Sequence, residues 1–145
     1  MTMSYELTHQ RPHRSLLRAM TRGFFCRCPN CGEGRMFRAY LKVVDCCAVC
    51  GAELYHQRAD DAPPYFVILI TGHIVVPIAL LVETMFSPPY WVHAVVWGPL
   101  TLAIALALLQ PVKGAIVGWQ WATYMHGFDP EHVDDQPPPR AGVRP

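Results

Sequence analysis

Charge is scarce in this chain. Asp, Glu, Lys and Arg make up 16% of its 145 residues, against roughly a quarter in an ordinary soluble domain. From Ala62 to Phe128 only Glu83 and Lys113 carry a formal charge. So long a segment cannot build a solvated surface, which excludes a soluble globule as the reading of the C-terminal half. Nine of the twelve Lys and Arg precede Pro64, a polarity hidden by the net charge of +1. A secretory leader is also missing: Arg11, Arg14, Arg18, Arg22 and Arg27 are not followed by a short apolar stretch and a small-residue cleavage site, so the amino terminus is expected to stay in the cytoplasm. There is no nucleophile with a partnered base, no phosphate-cradling loop and no metal site with an open position, which leaves no enzyme class to defend. Nucleic acid is disfavoured as a partner, and none is expected, because Arg35, Arg38 and Lys42 alone supply little phosphate-neutralising charge near a bilayer.

What the chain does have is a pair of matching knuckles, Cys28-Pro29-Asn30-Cys31-Gly32 and Cys47-Ala48-Val49-Cys50-Gly51. The spacing C-x2-C-x15-C-x2-C suits two turns that pinch one tetrahedral metal between four thiolates. Gly32 and Gly51 stand where such a turn needs a residue without a Cβ. Four thiolates leave no position for substrate, so zinc with a structural role is the default, and iron in a rubredoxin-like site is the alternative. Paired knuckles on the reducing side of a membrane read as ligands rather than disulfides. Cys46 competes with Cys47 for the site, and Cys47 is preferred because it restores the two-residue spacing. Cys26 also falls outside the knuckles.

Residues 28–58 are therefore read as a small β zinc-ribbon-like domain, whose intervening β-branched and aromatic residues suit short strands. Ahead of it, residues 1–27 form a basic arm. Arginines at 11, 14, 18 and 22 align on one side of a helix with Leu16, Leu17, Met20, Phe24 and Phe25 as apolar partners, poised for an anionic leaflet or simply solvated. Beyond it, residues 64–84 and 91–110 are long and apolar enough to span a bilayer. The turn between them lacks Lys and Arg, so the positive-inside rule places both termini and the ribbon in the cytoplasm. Tyr90 and Trp91 mark the far interface, and Trp119, Trp121 and Tyr124 the near one. Residues 111–128 are too short to span and read as a separate interfacial helix with Lys113 and Gln120 on its polar face. Within it, Gly114-x-x-x-Gly118 suits the close approach of another helix. The tail, residues 129–145, is expected to be disordered. The fold class is a membrane α-helical hairpin with an N-terminal β ribbon and a C-terminal interfacial helix.

His73, Glu83 and His93 are the ionisable groups of the spans and a candidate cofactor or metal site. Pro77 removes the donor for the His73 carbonyl and offers a kink there. The alternative is that His73 bonds to the other helix while Glu83 and His93 sit with water among headgroups. Asp60 and Asp61 are placed to cap the first span.

Cys28 to Phe37, Asp60-Asp61-Ala62-Pro63-Pro64-Tyr65-Phe66, Gly72 to Pro77, Leu109 to Gly114, Trp119-Gln120-Trp121 and Met125-His126-Gly127-Phe128 together resemble the bacterial family catalogued as domain of unknown function 983. The resemblance implies a small inner-membrane protein with a cytosolic zinc-ribbon-like head, two helices and no established activity, with Cys28, Cys31, Cys47 and Cys50 as ligands. Its association with terminal oxidases further implies a noncatalytic accessory role in respiratory complex assembly. The rival readings are a membrane-anchored electron carrier and a haem or metal handling protein. Implied partners are membrane lipids and a larger membrane complex.

Overall fold

A computed structural model describes residues 13–129. Three α-helices carry the fold: α1 (Leu16–Phe24), α2 (Ala62–Phe86) and α3 (Tyr90–Ala122), followed by a single 3₁₀ turn at His126–Phe128. The two long helices are long and apolar enough to cross a membrane.

α2 starts with Pro63 and Pro64 in its first turn, where their missing N–H groups would have had no helical acceptor. Asp61 makes no side-chain cap bond, and Asp60 turns away to Lys113 at 3.2 Å, so neither caps the helix as expected. Pro63, Val67, Thr71 and Val75 are buried at four-residue intervals, forming one row along the helix. Ser87 closes α2 in the left-handed conformation with its N–H on the Glu83 carbonyl, and Pro88 and Pro89 turn the chain into α3.

The separate interfacial helix expected over residues 111–128 does not form. α3 runs unbroken for 33 residues, about 50 Å, through Pro99 and Pro111. Its buried residues all lie between Val112 and Ala122. A proline removes only one helical hydrogen bond, and here the apolar surface beyond Pro111 is covered by α1 and the head. Lys113 and Gln120 face the segment leading into α2: Gln120 accepts from the Arg58 N–H and donates to the Arg58 carbonyl, both at 3.2 Å. Trp121 and Tyr124, expected at the near interface, hold the Arg14 guanidinium over both rings at 4.1 and 4.0 Å.

α1 crosses α3 antiparallel, with Ala19 on Gly118 and Gly23 on Gly114. The small residues form its buried face, whereas the expected apolar partners Leu17 and Phe25 are exposed. Helices approach this closely only where side chains vanish, so the Gly114-x-x-x-Gly118 pair meets the basic arm of its own chain. Arg14 and Arg22 both bond to backbone carbonyls, and Arg11 lies outside the described residues.

Residues 26–60 form the head. Among the described residues there is no strand, and the expected β ribbon is reduced to isolated antiparallel bridges: Arg27 with Arg35, Phe37 with Val43, and Cys46 with Glu53. The two knuckles and the turn at Ala39–Lys42 interrupt pairing before a ladder can extend. Met36 and Leu54 are fully buried and join Val112, Ile116 and Val117 of α3 in one core. Of the expected tail only Asp129 lies within the described residues.

Candidate metal centre

Each knuckle is built by the same hydrogen bonds. The Gly32 N–H reaches the Cys28 carbonyl at 2.8 Å, and the Gly51 N–H reaches the Cys47 carbonyl at 2.9 Å. Both glycines have positive φ, +80° and +71°, which a side chain would strain. The turns face each other so that the first cysteine of each pair, Cys28 and Cys47, is buried, while Cys31 is half-buried and Cys50 exposed.

The four Sγ atoms lie within 4.8 Å of one another. Cys28 Sγ is 3.7 Å from Cys50 Sγ, and Cys31 Sγ is 3.8 Å from Cys47 Sγ. A tetrahedral metal with bonds of about 2.3 Å to sulfur sets its ligands about 3.8 Å apart. The donor set fits such an ion, and zinc and iron satisfy it equally by geometry and softness. Held there, the metal would supply rigidity, tying two otherwise independent turns into one unit.

The surroundings favour thiolate unequally. Burial pushes the Cys28 thiol up to about 12, with its sulfur neighbours adding to the rise. The backbone N–H of Gly34, joined by that of Glu33, brings Cys31 down to about 6. Asn30 donates its side-chain amide to Cys50 Sγ at 3.6 Å, so the first knuckle also supports a sulfur of the second. Arg22 ties α1 to the first knuckle through the carbonyls of Pro29 and Asn30, at 3.3 and 2.5 Å. Gly34 is required by proximity alone: a Cβ there would collide with Cys47 Sγ. Arg22, Asn30 and Gly34 escape a reading centred on cysteine spacing, although the sequence Cys-Gly-Glu-Gly hints at the second glycine.

Cys47, not Cys46, enters the cluster. Cys46 bridges to Glu53 and is exposed; burial, then Glu53 and Asp45, raise its pKa. Cys26 sits at φ 59° in the turn closing α1, with its thiol also raised by burial. Both shifts are away from thiolate, so neither thiol is activated.

The ionisable side chains of the two long helices do not converge on one site. His93 and Glu83 meet at 2.8 Å at the far ends of the two helices. His73 lies ten residues before Glu83 on α2, about 15 Å along the axis, and its Nδ1–H donates to the Leu69 carbonyl of its own helix at 2.8 Å. It bonds neither to the other helix nor to the Glu83–His93 pair.

No curated protein and no solved structure matches the chain. A family model does match, over residues 37–121, which takes in the second knuckle, both long helices and the Lys113 to Gln120 segment but starts after the first knuckle. The chain therefore belongs to the family described as protein of unknown function DUF983.

Proposed function

We propose that this is a noncatalytic membrane accessory protein, in which a metal held by Cys28, Cys31, Cys47 and Cys50 stiffens a cytosolic head that a larger membrane complex recognises. The observation that carries the reading is the closed set of four sulfurs within 4.8 Å. Such a set saturates a tetrahedral ion and leaves it to organise protein rather than to activate substrate. The clamp of α1 on α3 supports it too, because a head fixed to the hairpin passes its orientation to the membrane helices. Purification from native membranes in mild detergent, followed by metal analysis and a visible spectrum, tests the reading. A colourless protein with stoichiometric zinc agrees with it.

Iron-thiolate bands would instead establish the electron carrier, a reading favoured by the exposure of Cys50, which would bring a redox centre close to a partner. Haem bands lost on His73→Leu would establish the haem-handling reading. From the family resemblance we infer that a respiratory terminal oxidase under assembly is the complex served. Deleting the protein should then lower the haem absorbance of assembled oxidase in membranes, and unchanged absorbance would remove that partner while leaving the module intact.

A further inference from the structure

The turn from Arg38 to Lys42 reaches α3 at Leu106. The Tyr40 hydroxyl donates to the Leu106 carbonyl of α3, and the Leu106 side chain is exposed on the apolar stretch of that helix. If α3 spans from Tyr90, a hydrocarbon layer of about 20 residues ends near Gln110. Leu106 then lies just inside that boundary and Lys113 about 5 Å beyond it. Tyr40 is placed where aromatic rings favour the membrane interface, with Arg38 and Lys42 exposed on either side and able to snorkel.

Between this turn, the segment leading into α2 and Lys113 of α3 is a pocket of about 260 Å³ whose charged lining is Arg38, Lys42, Lys113, Asp45 and Asp60. Asp60 takes the Lys113 ammonium at 3.2 Å. Arg38 and Lys42 have no side-chain partner among the described residues, and against the single remaining carboxylate of Asp45 they leave the pocket cationic. We propose that this pocket holds the phosphate of an anionic phospholipid headgroup on the leaflet that faces the head. Depth selects a lipid: the cations stand at headgroup level and the tyrosine between them reaches the acyl boundary. Lipid binding here would seat the head on the bilayer rather than leave it standing off. The inference rests on α2 and α3 as spans.

The test uses the full chain in nanodiscs of equal phosphatidylglycerol and phosphatidylcholine, with retained lipids identified by native mass spectrometry. The wild type is expected to retain phosphatidylglycerol preferentially. The Arg38→Gln/Lys42→Gln variant should lose roughly tenfold of that preference, since each cation at a leaflet is worth about a factor of five before screening. Equal retention of both lipids by the wild type, or an unchanged preference in the variant, would overturn the assignment. So would variant-sensitive binding of inorganic phosphate in lipid-free detergent without any lipid preference, which would mark a free-phosphate site. Alkaline extraction of membranes reads the spans separately. A chain released by alkali overturns the spans and the pocket together, whereas a chain that stays in the membrane without lipid preference overturns the pocket alone.

Discussion

Gly23 of α1 and Gly114 of α3 meet backbone against backbone, each standing where a Cβ on the other would strike a carbonyl. This contact turns the basic arm from a surface helix into a clamp, since it fixes the direction from which α1 leads into the first knuckle. Gly114→Ala is therefore expected to destabilise the head by roughly 1–3 kcal/mol, the usual range for overpacking a tight contact. Gly98→Ala in the same helix is the matched control, because a Cβ there meets nothing within 4 Å. Alanine at that position should be neutral or slightly stabilising. Equal thermal midpoints for the two variants in detergent would show that the crossing is not tight.

Metal affinity should depend on pH in a way that Cys28 and Cys31 set. A bound metal needs thiolates, so every ligand still protonated in the free protein releases a proton on binding, and affinity rises with pH. Burial holds Cys28 protonated up to about 12, so it releases a proton throughout the neutral range. Cys31, brought down to about 6 by the Gly34 and Glu33 amides, is already ionised above that pH and contributes nothing there. Below about 6 it must release a proton as well, and the plot of log affinity against pH should steepen by about one unit of slope. Titration against a competing chelator from pH 5 to 8 reads this directly. A constant slope across that range would mean that the amides do not favour the Cys31 thiolate.

The parts of the fold that were legible in the sequence are those governed by local rules. Spacing alone identified Cys28, Cys31, Cys47 and Cys50, because two identical turns leave no freedom in where the sulfurs go. Hydropathy identified both long helices. Where reading and structure part, a tertiary contact decides. Proline favours the first turn, so by local rules Pro111 starts a helix, yet α3 passes through it where α1 covers the residues beyond. Hydropathy marks Leu17 and Phe25 as the apolar partners of the arginines, and both stay exposed; the packed face is set by smallness instead, which buries Ala19 and Gly23. The strands expected between the knuckles have suitable composition, but turns interrupt them before pairing extends.

Gln120 offers a sharper test of how the head is attached. The residue is 6% exposed and its side chain makes both hydrogen bonds to the Arg58 backbone, so Gln120→Leu strands a donor and an acceptor together. The expected loss is about 2 kcal/mol, with faster hydrogen exchange at the Arg58 amide. Lys113→Met should cost about 1 kcal/mol or less, because its partner Asp60 is 76% exposed and water screens the pair. If the two variants lost equal stability, the amide would be no more than an ordinary polar contact.

Orientation can be read without a fusion. The segment from Thr84 to Tyr90 carries no Lys or Arg, while α1, the head and the end of α3 gather at the opposite end of the hairpin. The far end also exposes Tyr90 and Trp91, at 93% and 67%, as interfacial rings. Positive charge held on the cytoplasmic side would leave Ser87, at the apex of the turn, outside. Ser87→Cys is therefore expected to react with a membrane-impermeant maleimide in intact cells. The native thiols should stay unlabelled until the cells are broken, Cys46 being an exposed one that could then react. Because the wild-type chain has its own cysteines at the head end and none at the turn, it reports the opposite side of the membrane in the same experiment. Labelling of the wild type in intact cells, with no gain from Ser87→Cys, would invert the topology and put the metal centre outside the reducing compartment that keeps its thiols free.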